Sequence, residues 1–170
     1  MIEKIDITEF DEMFSIMEKS FPIDEYRPYD EQKALFENEY YCVYTEKEEK
    51  IKGFIAVWEF PEFLYIEHFA VNPDCRNQGT GAHILHEITK LYDKTACLEV
   101  EPPKDDLTKR RIGFYERNGF FLNEYPYVQP PISKGKNPVP LMIMSSGKML
   151  SEAEFKDVKN TLYKEVYKLG

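Results

Sequence analysis

One loop constrains this sequence more than any other feature. An apolar, strand-like segment, Phe63–Val71, is stopped by an Asn-Pro pair, and the motif Arg76-x-x-Gly79-x-Gly81 then leads directly into an amphipathic helix. Glycines let the backbone approach a ligand closely, and the first amides of a helix have no partner within the helix. Those amides and the positive end of the helix dipole favour phosphate, and Arg76 can add charge-assisted hydrogen bonds. The loop therefore predicts an anion-binding turn.

Other glycine-rich phosphate loops fit less well. The dinucleotide-binding pattern Gly-x-Gly-x-x-Gly needs a third glycine, where this chain has Ile84, and the Gly-Lys-Ser/Thr of a Walker loop is missing. A tight strand-to-helix turn without a ligand stays open as the simplest alternative.

Length, charge and cysteine content exclude several classes of protein. A chain of 170 residues suits one domain. Its formal charge of −9 argues against a nucleic-acid binder and would accommodate a cationic substrate. No apolar run is long enough for a membrane span, and the first residues do not resemble a signal peptide. The three widely spaced cysteines, Cys42, Cys75 and Cys97, favour reduced thiols and a cytoplasmic protein.

Hydrophobic periodicity predicts a mixed α/β chain. Strands are expected over Met1–Ile7, Tyr40–Thr45, Ile51–Phe60, Phe63–Val71, Thr95–Glu101, Phe120–Val128 and Val139–Ser145. A first helix is expected to begin at Thr8, which can cap it, and a third is expected to follow Gly81. The other helices are expected over Glu31–Glu39, Leu107–Arg117 and Ser151–Leu169, and the last of these opens with a capping box.

Two motifs together resemble those of a known family. The segment "EHFAVNP" followed by Arg76-x-x-Gly79-x-Gly81 resembles the acetyl-CoA-binding motif of the GNAT superfamily of N-acetyltransferases. About forty residues later, the run Gly113–Phe120, "GFYERNGF", resembles the second hallmark of that superfamily, and the order of elements is similar across Met1–Ser146. Two positions depart from the pattern, since Thr108 stands where many members have Asn and Arg111 where a small residue is common.

The resemblance implies a fold, a reaction and a cofactor site. The fold is an α+β domain over residues 1–170, with a mostly antiparallel sheet of about seven strands splayed between strands 4 and 5, flanking helices and an additional C-terminal helix at 151–170. The reaction is direct transfer of an acetyl group from acetyl-CoA to a primary amine of a small molecule or peptide, without a metal. The residues implied in coenzyme A binding are Phe69, Ala70, Val71, Arg76, Asn77, Gln78, Gly79, Thr80 and Gly81. A related protein that only binds acyl-CoA, as a sensor, is the alternative.

The chemistry calls for a base, because deprotonating a primary amine at pH 7 costs roughly 4 kcal/mol. Strand alternation places Glu67 on one face with Tyr65, Phe69 and Val71, and His68 on the other. Glu67 is the candidate base and Tyr115, which matches the family's tyrosine near the thioester sulfur, the candidate acid. A salt-bridged strand glutamate and a core tyrosine are the structural alternatives.

Candidate acceptor-binding residues lie in several segments. Glu99 and Glu101 share a strand face, and the segments Phe21–Asp30 and Tyr125–Pro138 combine aromatic with polar side chains. The predicted acceptor contacts are Tyr26, Tyr29, Tyr65, Glu99, Glu101 and Tyr127, although surface alternation and ordered loops would explain them equally well. His83, His86 and Glu87 match no zinc signature and are expected on a solvated helix face. A homodimer is an open alternative to a monomer.

Overall fold

The computed structural model describes residues 1–169, and the elements in this range follow the predicted order. The strands are β1 (Glu3–Lys4), β2 (Tyr41–Lys47), β3 (Ile51–Glu59), β4 (Leu64–Val71), β5 (Ala96–Val100), β6 (Phe120–Gln129) and β7 (Val139–Ser146). The α-helices are α1 (Phe10–Ser20), α2 (Tyr29–Ala34), α3 (Thr80–Leu91), α4 (Asp106–Arg117) and α5 (Glu152–Thr161). The chain divides into two compact units, Met1–Ala96 and Cys97–Gly170, which are described separately.

The first unit is an antiparallel meander covered by helices. Strands β1, β2, β3 and β4 pair in chain order. Eight of the nine residues of β3 are buried or half-buried, because helices α1 and α3 both pack against this strand. Helix α3 contributes the buried residues Ile84, Leu85 and Ile88 at the spacing of one helical face.

The second unit has three antiparallel strands in the order β5, β7, β6. Strand β6 loses register between Asn123 and Tyr127, and helix α4 packs against this strand. Helix α5 begins with the predicted capping box, in which Ser151 and Glu154 exchange side-chain-to-backbone hydrogen bonds. Its Phe155 ring packs on two tyrosines of β6.

Four elements differ from the expectation at their ends. Strand β1 has only two residues, and Asp6 rather than Thr8 caps the turn that precedes α1, so the predicted cap was wrong. The second helix starts earlier, at Tyr29, and gives way to a 3-10 turn after Ala34. After Thr161 the last helix widens into a π-helical turn, Leu162–Val166.

The fold class is confirmed as a mixed α/β fold with seven, mostly antiparallel, strands. The splay between β4 and β5 and the single domain over residues 1–170 stay predictions. In the described part of the chain, every helix is too short or too polar to cross a bilayer.

Candidate active site

The turn before α3 has the backbone of a ligand cradle. Asn77 and Gly79 both have positive φ, 65° and 77°, which turns the chain sharply into the helix. Residues Arg76 to Gly79 are exposed, and Thr80, the first residue of α3, is buried. A Cβ atom built on Gly79 would meet nothing within 4 Å, so the glycine is required for its backbone angle rather than for space.

Helix α3 lacks the side-chain cap that the next two helices have. Asp105 accepts a hydrogen bond from the backbone of Thr108 at the start of α4, and Ser151 does the same for Glu154 in α5. At the start of α3 the cap position is Gly79, and no side chain bonds to the first amides. These donors are therefore available to an acceptor from outside the helix, and an anion gains from the helix dipole as well.

The cradle is fixed to the sheet at both ends. Asn72 bonds to β3 twice, through its amide to the Lys52 carbonyl (2.8 Å) and through its side chain to the Ile51 carbonyl (3.1 Å). Helix α3 lies directly on Gly53, where an added Cβ would come within 2.7 Å of Ile84 Cδ1 and 3.0 Å of the Ala70 oxygen. This close approach places the start of the helix beside the end of β4.

A β-bulge lies at Glu67. Ala56 of β3 pairs with His68 of β4, but the next residue, Val57, pairs with Ile66, so Glu67 is an extra residue without a partner opposite. A bulge of this kind turns the side chain and bends the strand, and bulges are common beside active sites. Period-2 alternation in the sequence gives no sign of it.

The bulge overturns the predicted arrangement of the strand faces. Tyr65 and His68 pair with Trp58 and Ala56, which are two residues apart on β3 and share a face. Phe69 and Val71 pair with Ile55 and Gly53 on the opposite face. Tyr65 is therefore not on the face of Phe69 and Val71, as alternation predicted, and it is completely buried.

Glu67 forms a buried ion pair. Its carboxylate accepts hydrogen bonds from the Arg27 guanidinium (2.9 Å) and from Trp58 Nε1 (2.9 Å), and the Arg27 and Glu67 side chains are only 5% and 2% exposed. Burial alone would raise the pKa of Glu67, but the positive charge of Arg27, the nearby His68 and the two donors together lower it. The carboxylate is therefore ionised at neutral pH.

Arg27 is a site residue that the sequence analysis missed. It lies between Tyr26 and Pro28 and is the only Lys or Arg between Lys19 and Lys33, which is the one signal that could have drawn attention to it. Its backbone amide donates to the Gln32 side chain, and Gln32 in turn donates to the Tyr41 hydroxyl, both at 3.2 Å. Through Arg27, the segment between α1 and α2 is attached to the bulge at Glu67.

His68 is buried and hydrogen-bonded. Its Nε2 lies 2.7 Å from the carbonyl oxygen of Glu25, which can only accept, so Nε2 carries the proton. Burial lowers the pKa of His68, although the charge of Glu67 opposes this. A neutral imidazole at pH 7 is the consequence.

Tyr115 lies on α4, half-buried, with its ring against Phe114 and Phe120. Burial raises its pKa to about 12, while Arg111 opposes the shift. The hydroxyl therefore stays protonated across the physiological range and can donate a hydrogen bond or a proton. Thr108, where the family pattern departs, is buried and forms the capping box of α4 with Asp105.

The structure brings together two of the predicted acceptor residues. Glu99 accepts a short hydrogen bond from the Tyr127 hydroxyl, and a third residue, Tyr167, bonds to the same carboxylate. Glu101, by contrast, lies 3.5 Å from Arg111 in a weak pair at the surface. Tyr127 is itself buried, so its hydroxyl contacts Glu99 rather than an acceptor directly.

The predicted aromatic contacts in the Phe21–Asp30 segment differ in exposure. Tyr26 is buried with its ring edge-on to Phe14. Tyr29 is 39% exposed, donates to Asp11 and packs edge-on against Phe14. Of this pair, only Tyr29 can reach a ligand without rearrangement.

His83 and His86 lie on the exposed face of α3, as expected. His83 contacts Glu46 and Glu87 at the surface. Among residues 1–169, no group of three or more His, Cys, Asp or Glu side chains could hold a metal ion.

Comparisons with known proteins identify a family. The model of the acetyltransferase (GNAT) family matches residues 10–120, more than half of the chain. A Bacillus subtilis (strain 168) protein, YjbC, which carries a provisional acetyltransferase name, is 32% identical over 102 residues; the match covers 59% of this chain and 52% of that protein. The present chain therefore spans about half the length of that relative.

Solved structures share the fold. A Bacteroides thetaiotaomicron protein provisionally assigned to the GNAT family superposes with a TM-score of 0.92 at 32% identity, covering 100% of this chain and 99% of its own. An aminoglycoside 6'-N-acetyltransferase complexed with coenzyme A has a TM-score of 0.63 at 14% identity, covering 89% and 99%, which shows the fold alone. Because the family model matches residues 10–120, the chain belongs to the GNAT family of acetyltransferases.

Proposed function

We propose that this acetyltransferase moves the acetyl group of acetyl-CoA directly to a primary amine. The observation that carries the proposal is the uncapped start of α3, preceded by the exposed Arg76 and by two residues of positive φ. In this proposal the amides of residues 78–81 and the Arg76 guanidinium bind the pyrophosphate of the cofactor. The coenzyme A in a solved structure of the same fold supports this choice of ligand.

The main chain at the end of β4 supplies the next part of the site. Phe69 and Val71 are half-buried on one face of the strand, next to the cradle, and Ala70 lies between them in the sequence. We place the pantetheine and the thioester carbonyl along the main chain of these three residues. A backbone amide aimed at the carbonyl oxygen would stabilise the negative charge that develops on it during attack by the amine.

Tyr115 is the proposed acid. A hydroxyl with a pKa of about 12 keeps its proton at neutral pH and can hydrogen-bond to the departing thiolate. Because a thiol has a pKa of about 8.5, its thiolate is a good leaving group. Tyr115 therefore assists the departure of the thiolate but is not essential for it.

Glu67 is the carboxylate of the proposed site, and its surroundings favour a structural role over that of a base. A base that takes up a proton at neutral pH works best with a pKa near 7. The pKa of Glu67 is lowered and its carboxylate is already bound by Arg27 and Trp58. We therefore expect Glu67 to act as a fixed negative charge that holds the bulge, with the amine proton leaving through water.

The acceptor is proposed to be a small molecule or peptide with a cationic amine, and Glu99 and Glu101 are the residues that we place near it. Free thiols at Cys42, Cys75 and Cys97 support a cytoplasmic location. No residue in this proposal requires a metal, a nucleic acid, a membrane or a second copy of the chain, and a homodimer stays a prediction.

The test is direct binding and turnover. Calorimetry should show that coenzyme A binds more tightly than ATP or NAD, and release of thiol from acetyl-CoA should depend on an added amine from a panel. Binding of coenzyme A without amine-dependent release would favour an acyl-CoA-binding module instead. Failure to bind coenzyme A would contradict the proposal.

A matched pair of glycine variants locates the site. Gly79→Ala puts a side chain at φ 77° in the cradle, whereas Gly147→Ala puts one at φ 80° in the turn after β7, and neither new Cβ meets an atom within 4 Å. Both should lose about 1 kcal/mol or more of stability from backbone strain. Only Gly79→Ala should also weaken coenzyme A binding, by about tenfold if one amide is displaced.

A further inference from the structure

The C-terminal segment reaches one of the proposed acceptor residues. The Tyr167 hydroxyl lies 2.8 Å and 2.9 Å from the two carboxylate oxygens of Glu99 on β5. The hydroxyl of Tyr127, on β6, donates to Oε2 of the same carboxylate. Three elements far apart in the sequence thus converge on one half-buried carboxylate.

Unusual backbone geometry aims Tyr167 at this point. Residues Leu162–Val166 form a π-helical turn, and the Tyr167 amide bonds back to the Leu162 carbonyl at 3.0 Å. The next residue, Lys168, has a φ of 59°, which side chains rarely adopt. π-Helical turns are less stable than a continued α-helix and are frequent at functional sites. Directly after this turn, the Tyr167 hydroxyl makes its hydrogen bonds to Glu99.

Tyr127 and Tyr167 are neutral donors to the carboxylate. Tyr127 and Tyr167 are both buried, at 5% and 6% exposed, so their hydroxyls are fixed in direction. Burial, and then the charge of Glu99, raise the pKa of Tyr127, so it remains a neutral donor. Hydroxyl donors orient an anion and leave its attraction for a cation in place.

We propose that Tyr167 is a positioning residue for Glu99, and that the two form a recognition site for the ammonium group of a cationic acceptor. The inference rests on the proposed function, since it places the acceptor at Glu99. The C-terminal segment then determines acceptor affinity and leaves cofactor affinity unchanged.

The test compares two tyrosines of the same segment. Tyr167→Phe removes the hydroxyl at Glu99, while Tyr163→Phe removes one that donates to the Val128 carbonyl at 2.5 Å. Calorimetry would measure the binding of three amines, namely spermidine, kanamycin and a peptide with a free amino terminus, and separately of coenzyme A. Urea unfolding of both variants would show whether each is folded under the conditions of binding.

We expect at least one of the amines to bind the unaltered protein, and Tyr167→Phe to weaken that binding about tenfold, the effect of one hydrogen bond to a charged group. Coenzyme A binding should not change, and Tyr163→Phe should change neither affinity. In a Glu99→Gln background, Tyr167→Phe should have little further effect.

Two results would overturn the inference. One is coenzyme A binding together with no binding of any of the three amines. The other is a folded Tyr167→Phe protein that binds the amine as tightly as the unaltered chain. An unaltered chain that does not bind coenzyme A would instead refute the proposed function, so the two failures are distinguishable.

Discussion

At the scale of single residues, Glu67 and Arg27 depend on each other. Both side chains are buried, so removing one leaves the other as an uncompensated charge away from water. Arg27→Met should therefore cost about 3–5 kcal/mol of unfolding free energy, measured by urea denaturation. Without Arg27, the main opposition to burial is lost and the pKa of Glu67 rises, so part of this cost should be relieved as the pH falls and the carboxylate becomes protonated.

A surface pair and a double variant provide the controls. Lys50 and Asp74 form an exposed ion pair at 3.1 Å, so Lys50→Met should destabilise the chain far less than Arg27→Met does. Arg27→Met combined with Glu67→Leu removes both charges together and should recover most of the loss. If the double variant instead loses the sum of the two single effects, the residues are not energetically coupled.

Tyr115 gives a prediction about the rate rather than the stability. If its hydroxyl hydrogen-bonds to the departing thiolate, Tyr115→Phe should lower kcat by one to two orders of magnitude and leave coenzyme A affinity unchanged. An acid has to be protonated to act, and a pKa of about 12 means that Tyr115 causes no alkaline fall in rate below about pH 11. Tyr125→Phe, which removes a hydroxyl bonded to the Leu150 carbonyl, is the matched control. Equal kcat values for both variants would exclude Tyr115 from the reaction.

At the scale of elements, the order of strands and helices could be predicted from periodicity, because buried faces repeat at 2 or 3.6 residues. The cradle before α3 could also be predicted, since glycine spacing reflects backbone angles directly. The bulge at Glu67 could not be predicted. One extra residue in β4 reverses the face of every residue after it, but the residue types in the segment do not mark where it occurs. Arg27 was missed for a related reason: its partner is forty residues away in the sequence.

The contact between α3 and β3 predicts how the cradle is held in place. Gly53→Ala would bring a Cβ within 2.7 Å of Ile84 Cδ1, so the helix must move or the side chain must turn. We expect a loss of about 1–3 kcal/mol of stability, as in other overpacked cores, together with weaker coenzyme A binding. Adding Ile84→Val removes the Cδ1 atom and should restore part of both. No improvement from the second substitution would show that the Ala70 oxygen, at 3.0 Å, is the contact that matters.

At the scale of the whole molecule, three groups with lowered pKa values make the folded chain less stable in acid. The pKa values of His68 and Glu67 are both lowered in the folded chain, and that of Glu154 is lowered to about 2. A group with a lowered folded pKa is protonated first in the unfolded state, so acid favours unfolding. The contribution of such a group is complete above its unfolded pKa, about 6.5 for histidine and 4.3 for glutamate, and is lost as the pH falls through the folded value.

Unfolding in urea between pH 8 and pH 4 would separate these groups. Stability should be level above pH 7, fall below pH 6.5 by up to about 1.4 kcal/mol per pH unit as His68 is forced to protonate, and fall more steeply below pH 4.5 with the carboxylates. His68→Gln retains a donor for the Glu25 carbonyl but cannot titrate, so it should remove the first part of the fall. The exposed His86→Gln serves as the control and should leave the curve unchanged. A first phase that survives in His68→Gln would mean that another group, rather than the buried imidazole, links folding to protons in this range.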